Sequence, residues 1–152
     1  MRLIVLTLLT GLAGCAAAPV LPPPGAGAQS ALFENYPDTL LAAARAACSG
    51  PLQTARIQRP DGVICETLPT PEAAAALIIE HNGTVEELPS YIIRFHVVDD
   101  TAGTIVVVDN YIRVPQRDGM VVQVRLEDEG VTQSVRALLA AAGGALLATP
   151  NP

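Results

Sequence analysis

Residues Ser90–Glu127 read SYIIRFHVVDDTAGTIVVVDNYIRVPQRDGMVVQVRLE, and the period of two in this stretch decides the fold. Tyr91, Ile93, Phe95 and Val97 alternate with Ile92, Arg94, His96 and Val98, as in a strand whose successive side chains leave opposite faces. Asp100-Thr101-Ala102-Gly103 then turns the chain, and Thr104 to Val114 returns with Val106, Val108, Ile112 and Val114 on one side. Arg117-Asp118-Gly119 suits a three-residue hairpin loop with its glycine in the left-handed position. Met120, Val122, Val124 and Leu126 alternate in turn with Val121, Gln123 and Arg125. The stretch predicts a three-stranded antiparallel meander. A slip of one residue would exchange its faces, so Val97 is expected opposite Val106, Phe95 opposite Val108, and Ile112 opposite Val124.

The same register arranges the other face. Arg94 falls opposite Asp109, Asp109 opposite Glu127, and Tyr111 opposite Arg125. Cross-strand charge pairs stabilise a sheet by roughly a few tenths of a kcal/mol, and the row reads as a solvated sheet surface. His96 lies one step along it, so Arg94, His96, Asp109, Tyr111 and Arg125 form a polar strip, a candidate binding surface beside a candidate pairing edge or helical groove. Asn110 falls on the apolar side between Ile93 and Leu126, where it would cap a strand end or mark a bulge.

Outward from the meander, Asp128 and Glu129 suit the start of a helix running to about Ala142. Val131, Val135, Leu138, Leu139 and Ala142 are its apolar stripe, and Gly143-Gly144 its end. Upstream, Thr70 as N-cap, Pro71 and Glu72 open another helix. Ala73, Ala74, Leu77, Ile78 and His81 form its expected inner face, and Asn82-Gly83 stops it. Before that, Gln53–Gln58 and Val63–Thr67 flank Arg59-Pro60-Asp61-Gly62, a turn signal that predicts a short hairpin. A first helix begins near Pro37, carries Leu40, Leu41, Ala44, Ala47 and Cys48 on one face, and stops at Gly50-Pro51, with Gly50 as a left-handed cap. Phe33 and Tyr36 precede it and are placed to fold back onto the same core. The expected architecture is α+β, a two-layer domain in which a hairpin and a three-stranded meander form antiparallel sheet with helices packed on one face. It occupies residues 31–144, and residues 145–152 read as a tail.

The N-terminus has a different character. After Met1-Arg2 an apolar run from Leu3 ends in Leu12-Ala13-Gly14-Cys15. A positive start, a short apolar core and small residues at the cut make a signal peptide, and the core is shorter than the roughly 20 residues that a spanning helix needs. Leu12-Ala13-Gly14-Cys15 resembles the lipobox of bacterial lipoproteins; the alternative is an ordinary signal peptide cut elsewhere. The resemblance implies that residues 1–14 are removed and that Cys15 becomes the lipidated first residue. It also implies that the body is held to a membrane by acyl chains. Ala16 stands where an aspartate would retain such a protein in the inner membrane, which implies the inner leaflet of the outer membrane, facing the periplasm. Residues 16–30, with Pro19 and Pro22-Pro23-Pro24 followed by Gly25 and Gly27, read as an extended tether.

With Cys15 lipidated, Cys48 and Cys65 remain as a pair in an oxidising compartment, where they are expected to form a disulfide; the alternative is two buried thiols.

What remains is about 115–120 residues, the size of one domain. Aromatics make up only 3% of the chain, so Val, Ile and Leu must fill the core. The net charge is −6 and all nine cationic side chains are Arg, a balance that repels phosphate backbones and excludes nucleic acid as the expected partner. None of Ser30, Ser49, Ser90 or Ser134 has a Gly-x-Ser-x-Gly context. The two histidines lack zinc-site spacing, and no P-loop or dinucleotide fingerprint is present. No catalytic residue, metal or cofactor is therefore expected. His81, at a helix C-terminus, is read as complementing the dipole. The leading expectation is a non-catalytic, membrane-anchored envelope lipoprotein that binds another envelope protein as an accessory or assembly subunit. The alternative is a periplasmic binding module that takes a small molecule or cell-wall fragment on the polar strip.

Overall fold

The structure is a computed structural model and describes residues 27–58, 62–126 and 128–148. The signal peptide, Cys15, most of the expected tether, the tip of the first hairpin, Glu127 and the last four residues lie outside these. The elements in chain order are β1 (Gln29–Phe33), α1 (Asp38–Ala47), β2 (Gln53–Gln58), β3 (Gly62–Thr67) and α2 (Pro71–Glu80). They continue with β4 (Ser90–Asp100), β5 (Gly103–Pro115), β6 (Val121–Arg125), α3 (Glu129–Ala141) and β7 (Ala145–Leu146). The fold is α+β. All pairings are antiparallel, in one seven-stranded sheet of order β2-β3-β4-β5-β1-β7, with β6 also on β5.

The meander has the register that the alternation demands: Val97 pairs with Val106, Phe95 with Val108 and Ile112 with Val124. Its turns follow local chemistry. Asp100 Oδ1 accepts from Ala102 N at 3.0 Å, and Gly119 takes φ +81° in the loop that Gln116 and Met120 close. Gly103, at φ +145°, lies so near Phe33 that a Cβ there would run into the Phe33 carbonyl oxygen. That close approach comes from β1, a strand the alternation did not reveal.

The two sheet segments are one, because β3 pairs with β4 from Gly62↔His96 to Thr67↔Tyr91. Two further strands lie at the domain's margins. Gln29 and Ser30, expected to end the tether, begin β1, which pairs with β5 from Gln29↔Val108 to Phe33↔Thr104. Ala145 and Leu146, expected in the tail, form β7 on β1. Both are short: β1 exists because β5 offers an edge that sequence separation hides, and β7 because β1 in turn offers its own. β5 then changes neighbours on that side: β1 borders Thr104–Val108 and β6 borders Tyr111–Pro115. Asn110 sits at the changeover, in unbroken register with Ile93. It therefore marks neither a strand end nor a bulge.

One face of the sheet carries the core. Ala31, Phe33, Val63, Phe95, Val97, Val106 and Val108 pack with Leu40 and Leu41 of α1 and Leu139 of α3. Burying each valine, leucine and phenylalanine among them is worth about 1.5–3 kcal/mol. Phe33 joins this core as expected, whereas Tyr36 is exposed. The helical stripes are narrower than their periodicity suggested. In α3 only Leu139 is buried, with Val135 against the core, while Val131 and Leu138 are exposed. In α1, Ala47 is exposed. α2 contributes nothing to the core cluster; Ala74 is its one buried residue and Ile79 is 80% exposed. A run of alanines buries too little area to hold a helix firmly onto a sheet.

The N-caps are side-chain caps where expected, since Thr70 Oγ1 accepts from Ala73 N and Asp128 Oδ1 from Val131 N. α1 ends differently. Its C-cap is Cys48, at φ −92°, and Gly50 is not left-handed. Gly50 N instead donates to Gln53 Oε1 at 3.0 Å, while Gln53 N donates to the Gly50 carbonyl at 3.0 Å, so the turn is closed by reciprocal bonds. The disulfide is present. Cys48 and Cys65 are joined across 17 residues with a Cα–Cα distance of 5.7 Å, and both are buried.

Candidate functional site

The polar strip lies on the sheet face opposite the core, on adjacent strands. Arg94 pairs with Asp109 across β4 and β5, and Tyr111 with Arg125 across β5 and β6. It is not the solvated surface its composition suggested: Arg94 is 4% exposed and Asp109 1%. Arg94 Nη2 donates to Asp109 Oδ2 at 3.2 Å, and Arg125 Nη1 donates to Asp109 Oδ1. One carboxylate thus answers two guanidinium groups. The Arg125 guanidinium also stands 5.3 Å from the Tyr111 ring centroid, a cation–π placement, and donates to Gln123 Oε1 at 3.3 Å. Burial raises the Tyr111 phenol above its ordinary value, and the Asp109 carboxylate adds to the rise while the neighbouring arginines oppose it. Tyr111 is therefore a neutral, buried prop at neutral pH.

A second cluster continues the face toward the start of β4. Glu66 of β3 pairs with Arg56 at 2.7 Å and with Arg113 at 3.9 Å, and Arg113 also meets Glu87. The two clusters sit beside one another because Glu66, Ile92, Tyr111 and Arg125 lie in one cross-strand row. Sequence reasoning found the Arg94 row and missed Glu66 and Arg113. Their link needs the β3–β4 pairing, which no local pattern shows. Arg94 Nε and Ser90 Oγ are buried without a hydrogen-bond partner among the described residues.

The face can hold charge in fixed geometry, but its donors and acceptors are largely spent on each other. None of the described grooves is lined by Arg94, His96, Asp109, Tyr111 or Arg125. His96 shares the strip's face and is half-buried. Burial lowers its pKa below the ordinary 6.5, and the Arg94 charge lowers it further. The unfolded chain then takes the proton more readily than the folded one. The stabilising contribution is complete above about pH 6.5 and is lost as pH falls from there through the depressed pKa. Urea unfolding at about pH 7.5 and about pH 5.5 is expected to show a loss on acidification that shrinks in His96→Gln. An equal loss in both proteins would refute the assignment.

The larger concavity lies elsewhere. A groove of about 900 Å³ runs between the start of α1 and the end of α3, with Phe33, Tyr36, Leu40, Ala43, Leu138 and Ala142 along it. Leu138 is 43% exposed there. α3 seats Leu139 and Val135 on the core and leaves Leu138 at the groove's rim. Glu34 and Asp38 add acidic edges. Among the described residues no His, Cys, Asp and Glu cluster could hold a metal ion, and no helix is long and apolar enough to cross a membrane. Compared with protein-family models, curated proteins and solved structures, the chain has no match.

Proposed function

We propose that this chain is a lipid-anchored envelope protein that performs no chemistry of its own and holds another protein through the groove between α1 and α3. The carrying observation is that groove, with Leu138 at its rim and the Phe33–Tyr36 segment along it. An amphipathic segment laid into an apolar groove is a common mode of protein recognition, and exposed apolar patches of this kind mark contact sites. The polar strip supports the same reading by contrast, because its charges already satisfy one another within the sheet. The Cys48–Cys65 disulfide is in keeping with an oxidising compartment such as the periplasm. The lipobox-like Leu12-Ala13-Gly14-Cys15 supports acylation at Cys15 and residence on the inner leaflet of the outer membrane.

Two measurements test this. Fractionation of cells carrying Cys15→Ser is expected to shift the protein out of the membrane fraction; unchanged processing and retention would remove the anchor. A photo-crosslinking residue in place of Leu138 is expected to trap a single protein species in membranes, and Ala43→Asp in the same chain to abolish it. Crosslinking indifferent to Ala43→Asp would remove the groove from the proposal.

A further inference from the structure

Among the described residues the sheet has three margins, and β6 is the least guarded of them. β2 carries Arg56 at mid-strand, which pairs with Glu66 yet keeps its side chain 67% exposed, and β7 is two residues long; charge and brevity are the usual protections of an open edge. β6 reads Val121-Val122-Gln123-Val124-Arg125, without proline and without charge before Arg125, and the Arg125 guanidinium is turned onto Asp109. Val121, Val122 and the preceding Met120 are exposed. β6 pairs with β5 alone.

Which groups face outward follows from the hairpin. Gln116 N donates to Met120 O at 2.9 Å, so in the alternating antiparallel pattern Val122 and Val124 bond to β5. The N–H and C=O groups of Val121, Gln123 and Arg125 then point to the open edge. We propose that this edge binds a second copy of the chain, β6 against β6 in antiparallel register about a two-fold axis at Gln123. In that register Gln123 meets Gln123 of the second copy, and Val121 meets Arg125 on either side. These are the residues with outward groups, so each pair exchanges both its hydrogen bonds. Between them Val122 meets Val124 twice, as non-hydrogen-bonded pairs whose side chains approach closely. These valines share the core face with Ile112 and Val114, so the apolar layer continues from one copy into the next. No like charges meet. Displacing the axis by one residue, onto Val122 or Val124, would bring together residues whose polar groups are already committed to β5. The phase set by β5 thus leaves Val121, Gln123 and Arg125; an axis on Arg125 would set that charge against its own copy, and one on Val121 would run the strand into the turn at residues 117–119. A single five-residue strand pair is smaller than the roughly 1,200 Å² of a stable interface, so the dimer dissociates readily and forms where copies are concentrated.

The inference is independent of the groove and of the lipid anchor. It is tested in the full chain in membranes, with Gln123→Cys under mild oxidation. Across the axis the two residues stand with Cα atoms about 5.5 Å apart, within disulfide reach, and a reducible homodimer is expected that the unsubstituted chain does not give. Val121→Cys lies four residues from its own copy, about 13 Å along the strand, and is expected to remain monomeric. Adding Val122→Lys to Gln123→Cys is expected to remove most of the dimer. A monomeric Gln123→Cys chain whose Cys48–Cys65 bridge is intact would overturn the proposal. So would equal crosslinking by Val121→Cys, or trapping of a different protein. Should Gln123→Cys fail to fold, sedimentation of the unsubstituted chain against Val122→Lys decides: a weight that rises with concentration only in the former supports the edge, and identical behaviour overturns it.

Discussion

Asp109→Ala is expected to destabilise the domain by about 3–5 kcal/mol, the range for removing one member of a buried ion pair. The carboxylate is all but fully buried and is the shared acceptor for Arg94 and Arg125. Without it the Arg94 guanidinium stays buried with no opposing charge paired to it among the described residues, whereas Arg125, whose side chain is 26% exposed, can turn toward water. Most of the cost therefore falls on Arg94. Arg94→Met combined with Asp109→Leu is expected to recover the greater part, since well-packed apolar replacement of a buried pair is often neutral or better. Denaturant unfolding of the two single variants and the double gives the coupling directly. A loss under about 1 kcal/mol for Asp109→Ala would show that water reaches Arg94 and that the burial argument is wrong.

Opening the disulfide comes next in size. Cys48→Ser with Cys65→Ser releases a loop of 17 residues, worth about 3 kcal/mol in the chain-entropy model. For a domain of this length that corresponds to a fall in Tm of roughly 10–15 °C. The effect on architecture should be local. The bridge ties the C-cap of α1 to the middle of β3, while the other end of α1 is held by Leu40 and Leu41 in the core. Thermal unfolding of the double variant beside the oxidised protein tests the magnitude. Loss of native near-UV signal at 25 °C, rather than a lowered midpoint, would mean that α1 needs the bridge in order to dock at all.

Both effects bear on how far residue order alone carries. The alternation of Tyr91 to Val97, Val106 to Val114 and Val122 to Leu126 determined three strands, their register and the pairing of Arg94 with Asp109, because a period of two is a property of neighbours in the chain. Cap and turn residues did the same for the helix starts at Thr70 and Asp128 and for the left-handed Gly119. The Cys48–Cys65 pair followed from counting sulfurs once the lipobox resemblance set Cys15 aside. Tertiary structure alone decided the rest. β1 is a strand only because β5 leaves an edge beside Thr104–Val108, and β7 only because β1 then leaves another; their five and two residues hold too little pattern to declare themselves. It also decided that β3 joins β4, which brings Glu66 and Arg113 into the charged face. It decided, too, that α2 stands outside the core while α3 leaves Leu138 bare. Burial is the common reason. Whether Arg94 and Asp109 meet water or each other depends on what stands over the sheet, and periodicity tells which side a residue takes without telling what covers that side.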